Sequence, residues 1–183
     1  ASYAFGDPKA DSFTGKVWAD VVSQKLQASA ADIASNPDGA STSFTGSGFD
    51  AGVKLGAGGF EGVLYGYSGS GLGTTGLYVL ATSDLGRKRD SDGGYAQATY
   101  KFDRVKLGLS YGESRLKLTS DEKALGSSNS DLVKRNDSTV AGVYYSLTKA
   151  ITLVGEFAHT EASAFNGNKA TEDTYILGGI IFF

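Results

Sequence analysis

The 183-residue chain has no cysteine, no methionine, a single histidine, a single tryptophan and only two prolines. Without cysteine there is no disulfide framework and no thiolate zinc site, so stability must come from pairing and packing alone. No stretch approaches the ~18 consecutive apolar residues that a spanning helix needs, which excludes a helical membrane protein. Charge of one sign is also missing. Seventeen basic and 20 acidic residues leave a net charge of −3. With no basic arm among them, nothing favours a nucleic-acid partner.

What the chain has instead is glycine and aromatics: 26 Gly, ten Tyr and ten Phe. Segments of period two recur, with one parity apolar and the other charged, hydroxylated or glycine. The clearest cover 43–57 (Phe49, Ala51, Val53 and Leu55 against Asp50, Gly52, Lys54 and Gly56) and 105–118 (Val105, Leu107, Leu109 and Tyr111 against Lys106, Gly108, Ser110 and Gly112). Further strands are expected at 13–27, where Trp18 and Val22 blur the alternation, and at 60–68, with Val63, Tyr65 and Tyr67 as the apolar parity. The rest fall at 94–102, 138–147, 151–162 and 173–183. Tyr3 and Phe5 hint at a ninth, truncated strand before a turn at Gly6, Asp7 and Pro8.

Connection lengths alternate. Gly58-Gly59, Asp103-Arg104 and Thr148-Lys149 mark tight turns, whereas 28–42, 115–137 and 162–172 are long and polar. Short turns at one end and long loops at the other are the pattern of an outer-membrane barrel. A strand-like run at Leu77–Ala81 would break that alternation if it crossed. The stretch 69–93 is therefore expected to be one long loop, either carrying a short helix, folding back into a pore, or lying as an ordinary surface loop over an apolar patch.

The carboxy-terminal YILGGIIFF places Tyr175, Leu177, Ile181 and the final Phe183 on one face, an aromatic-ended strand of the kind that closes a barrel in lipid. The expected fold class is all-β, an antiparallel transmembrane β-barrel with eight strands in this chain. Glycines opposite the apolar parity (Gly52, Gly56, Gly62, Gly66, Gly108, Gly112, Gly142 and Gly178) are too many to fill a small closed barrel of ~8 strands. They fit a wider lumen of roughly 16 strands, of which this chain would be part; relief of crowding beside aromatic rings is the competing reading. No signal peptide stands at the amino end, as expected of a mature chain or of a piece of a longer one.

GFDAGVKLGAGGFEG (48–62), GLGTTGLY (71–78), KRDSDGGYAQATYKF (88–102), KLGLSYGES (106–114), STVAGVYYSLTKAITLVGEFAHTEA (138–162) and YILGGIIFF (175–183) together resemble the carboxy-terminal half of Gram-negative general porins. The resemblance implies a 16-stranded barrel of the outer membrane, assembled as a homotrimer in lipid and passing small hydrophilic solutes and ions. It also implies a constriction loop that lies in the other half. Ile176 departs from the usual terminal signal, where a polar residue is common.

Chemistry for catalysis is thin. His159, near a strand end, has no nucleophile or orienting acid beside it in a recognisable motif, so no enzyme activity is expected. Asp and Asn cluster at 84–92, 129–137 and 166–173 without the spacing of a calcium loop, and no metal is expected. GSGLGTTG lacks the Lys of a phosphate loop, so no nucleotide or other cofactor is expected. By parity the lumen-facing charges are Lys16, Asp20, Asp50, Lys54, Lys101, Lys106 and Glu156, too evenly balanced to name an ion preference. Arg87, Lys88 and Arg89 would add a basic patch if their loop turns inward. The alternative function is a non-conducting outer-membrane barrel that serves as an adhesin or assembly module through its loops; a soluble ligand-binding barrel would need its apolar faces inside.

Overall fold

In a computed structural model of the chain, residues 1–6, 13–27, 43–74 and 76–183 are described. They form one antiparallel sheet whose strands follow one another in chain order: β1 Ser2–Phe5, β2 Thr14–Gln27, β3 Ser43–Ala57, β4 Phe60–Ser70, β5 Asp90–Phe102, β6 Val105–Lys117, β7 Val133–Ser146, β8 Ile151–Ala164 and β9 Lys169–Ile181. Each strand pairs with its sequence neighbours, so the sheet is a meander of hairpins, and among the described residues β1 and β9 are its edges. One short helix, α1 Ser120–Ala124, follows β6. The loop expected at 28–42 and the Asp7-Pro8 part of the first turn lie outside the described residues.

Register fixes the two faces, because directly opposed residues of an antiparallel pair point the same way. One row across seven strands reads Leu55, Gly62, Ala98, Leu109, Ala141, Phe157 and Tyr175. Among the described residues nothing covers this face: Leu109 is 57% and Leu177 90% exposed. An apolar surface spanning a whole sheet far exceeds the few hundred Å² that water-soluble monomers tolerate, and lipid is the solvent that suits it.

Register also corrects the reading of β4. Val63, Tyr65 and Tyr67 stand opposite Lys54, Gly52 and Asp50 and so lie on the polar face, while Gly62, Leu64 and Gly66 belong to the apolar one. In this strand both parities hold apolar or featureless residues, and only the neighbours' hydrogen bonds decide between them. Trp18 and Val22 are likewise polar-face residues, opposite Gly52 and Gly48.

Several strands run further than their hydrophobic alternation. β5 starts at Asp90, β7 at Val133, and β8 and β9 continue to Ala164 and back to Lys169. The added rungs pair polar residues, Asp90 with Lys117, Asp92 with Arg115, Glu113 with Asp137 and Thr160 with Glu172. Alternation marks only the stretch that meets apolar surroundings, whereas backbone pairing carries on past it. The loops shorten accordingly to 71–89, 118–132 and 165–168.

Ser70 is paired directly with Asp90, so the chain between them leaves and re-enters at the same end of the sheet. The run at Leu77–Ala81 is turn rather than strand, with left-handed backbone at Tyr78 (φ 69°) and Leu80 (φ 60°).

Candidate solute pathway: the polar face and the loop against it

The seven charged side chains expected from parity all fall on the polar face by register. Lys16 is opposite Lys54, Asp20 opposite Asp50, Lys101 opposite Lys106, and Glu156 stands opposite Gly142, itself opposite Gly108. Three directly opposed like-charged pairs on one face are unfavourable for the sheet itself, since such neighbours repel. Water and mobile ions relieve that repulsion, and a packed interior would not.

Local partners then sort these charges. Lys54 is neutralised by Glu61 at 2.5 Å, and Tyr144 donates its hydroxyl hydrogen to Glu156. Glu61 was not among the expected charges because it sits beside the Gly58-Gly59 turn and on the misjudged parity of β4. Rings accompany the charges: Trp18 lies over Gly52 and Tyr144 over Gly142, where added Cβ atoms would fall 2.1 and 3.0 Å from them. These glycines serve the close approach of rings, and each ring narrows the space that the bare glycine count implied.

The loop 71–89 leans on the same face. Leu72 packs over Gly48 and Gly69, where any Cβ would meet it at 2.6 and 2.4 Å. The Tyr78 hydroxyl donates to Gln24 Oε1 (3.0 Å), Lys88 Nζ to the Thr45 carbonyl (3.2 Å) and Ser114 Oγ to the Thr74 carbonyl (3.2 Å). Leu72, Ala81, Leu116 and Leu118 are the buried apolar side chains among the described residues, all toward the loop end of the sheet.

A buried ion pair stands at the same end of the sheet. Arg89, 6% exposed, donates from Nε and Nη2 to Glu122 Oε1 at 3.0 and 2.5 Å, and from Nη1 to the Leu80 carbonyl at 3.0 Å. Glu122 is the third residue of α1 and completes a capping box with Thr119, accepting from its backbone N–H at 2.9 Å while the Thr119 hydroxyl receives the Glu122 N–H. Burial by itself would raise the Glu122 carboxyl, but the bonds from Arg89 and Thr119 outweigh it and hold the group below the usual range. Of the expected basic patch, then, Arg89 is consumed in this latch. Arg87 sits 3.3 Å from Asp121, and Lys88 is committed to Thr45.

The carboxy-terminal residues Tyr175, Leu177 and Ile181 lie on the apolar face of β9, opposite Phe157, Gly155 and Ile151, and Phe183 follows fully exposed. Above the apolar band the same face turns ionic, with Glu113 bridging Arg115 and Arg135 (3.1 Å to the latter), Arg135 meeting Asp137 at 3.2 Å and Lys169 meeting Glu161 at 2.8 Å. His159 belongs to this outward belt, with its Nδ1 2.6 Å from Asp173. Among the described residues no group of three His, Cys, Asp or Glu side chains converges as a metal site.

Fold and surface together define an antiparallel β-wall, apolar on one side and charged on the other. In keeping with that, the chain resembles the outer membrane channel DcaP of Acinetobacter baumannii, with a TM-score of 0.72 at 16% identity over 99% of this chain and 50% of that one. The chain thus spans about half the length of the channel it matches. No family model matches the sequence, and no curated protein does.

Proposed function

We propose that this chain forms part of the wall of an outer-membrane porin, a water-filled channel through which small hydrophilic solutes and ions diffuse passively. The observation that carries the reading is the pairing of faces: lipid-suited Leu, Phe and Tyr side chains on one, and opposed like-charged residues that need water on the other. A non-enzymatic role fits a face whose groups are spread along seven strands rather than converging on a reacting atom. Among the described residues β1 and β9 are the edges of the wall, and a barrel of about 16 strands that packs as a homotrimer in the outer membrane would pair them.

Reconstitution of the purified protein into planar bilayers tests this. Stepwise ohmic conductance in simple salts is expected. A protein that inserts, protects its strands from protease and yet conducts nothing would replace the porin by the adhesin or assembly reading.

A further inference from the structure

We propose that a cleft between loop 71–89 and strands β2–β4 binds small organic cations, protonated amines that carry an apolar body. The proposal deepens the porin reading by giving the passage a selective station, and it rests on the polar face being wet. The cleft measures about 270 Å³ and is lined by Asp50, Tyr65, Tyr67, Leu72, Thr74 and Leu77 among others.

Four observations point to this ligand class. Asp50 is the one charged residue of the lining, and among the described residues it has no ion-pair partner. Its direct neighbour across β2–β3 is Asp20, whose carboxylate meets the Ala1 ammonium at 2.9 Å, which leaves Asp50 as the carboxylate of the two open to a solute cation. Tyr65 and Tyr67 stand side by side with centroids 6.5 Å apart, and Tyr95 continues the row 5.4 Å from Tyr65. Ring faces of this kind attract ammonium groups. Thr74 Oγ1 is shielded from solvent and makes no hydrogen bond among the described residues, leaving an acceptor for an ammonium N–H. Leu72, buried, and Leu77, 66% exposed at the rim, offer an apolar seat for the remainder of the molecule.

Anions find no equivalent attraction there. Lys16 and Lys54, the nearest lysines along β2 and β3, are four residues from Asp20 and Asp50, roughly 13 Å at the rise of a strand. Lys54 is moreover tied to Glu61. The latch between Arg89 and Glu122 holds the loop that roofs the cleft, so Arg89 is a positioning residue and touches no solute.

The test is calorimetric titration of the detergent-purified protein with three probes of one shape: phenethylammonium chloride, the neutral 2-phenylethanol and sodium phenylacetate. Saturable binding of the cation is expected, with the other two at least tenfold weaker. Asp50→Asn should weaken the cation at least tenfold, and Asp50→Glu should restore most of the loss. Equal binding of all three probes, no binding of any, or an Asp50→Asn protein with unchanged affinity would overturn the proposal. Should Asp50→Asn fail to fold, the probe series on the unaltered protein still decides. Titration requires no ion flow: a silent bilayer with an intact titration sinks the porin reading, whereas conductance with a flat titration sinks only the cation site.

Discussion

Two regions of this sheet solve the burial problem in opposite ways. In the mid-strand band, large apolar side chains such as Leu109, Val143 and Leu177 face outward and exposed among the described residues. At the loop end, Leu72, Ala81, Leu116 and Leu118 are buried and the Arg89–Glu122 pair is withdrawn from water, as in a water-soluble core. The first region delegates packing to its surroundings and needs only the right polarity at alternate positions. The second has to satisfy every polar group itself, so it depends on particular partners. Substitutions should therefore be judged by polarity in the band and by partner identity at the loop end.

The largest effect is expected at the latch. Arg89→Ala leaves the Glu122 carboxylate buried without its cation, and removal of one partner from a buried pair costs on the order of 3–5 kcal/mol. Loop 71–89 should then lose protection in hydrogen exchange while the amides of β7–β9 keep theirs. Equal loss in both regions would show that the loop end is not a separate packing unit.

Next comes the band. Leu109→Arg should lower barrel stability in lipid or detergent by about 2–4 kcal/mol, the cost of a lipid-facing arginine near the midplane. Ser110→Arg, one residue on and opposite Gln97 and Val140 on the polar face, should be nearly neutral. Equal destabilisation by both substitutions would mean that the sheet does not separate two solvents.

Acid sharpens the contrast with a smaller change. Because the folded Glu122 carboxyl is held below its ordinary value, the latch contributes stability above the usual carboxylate range, about pH 4. That contribution fades as pH falls through the lowered value. Loop proteolysis should accelerate only below about pH 4, with strand protection unchanged, and Glu122→Gln should remove the pH dependence.

The smallest effect is on selectivity. Lys106→Gln should shift the reversal potential in a salt gradient toward cations, and the shift should shrink once salt compresses the Debye length below about 10 Å. Lys54→Gln should shift it less, since Glu61 already offsets that charge at 2.5 Å. A larger effect from Lys54 would place the Glu61 contact outside the conducting state.

By itself the sequence determined where strands form and which solvent most of them meet, because period two is a local consequence of strand geometry and Leu107, Leu109, Ala141 and Val143 repeat the same statement. The tight turns, the returning loop at 69–93 and the amino-terminal strand were legible for the same reason. Of the charges, parity put Lys16, Asp20, Asp50, Lys54, Lys101, Lys106 and Glu156 on one side, since each stands opposite the apolar parity of its strand. Only the tertiary structure decided the faces of β4, where Val63, Tyr65 and Tyr67 are as apolar as Leu64 and where glycines on either side carry no preference. It alone joined Arg89 to Glu122, 33 residues apart, turning an expected surface charge into a buried one. It alone set Leu72 against Gly48 and brought Thr74 to Asp50 and Tyr67 around one cleft. Such contacts depend on how a loop returns over a sheet, and the hydrogen bonds and close approaches that select that path link residues that no local periodicity relates.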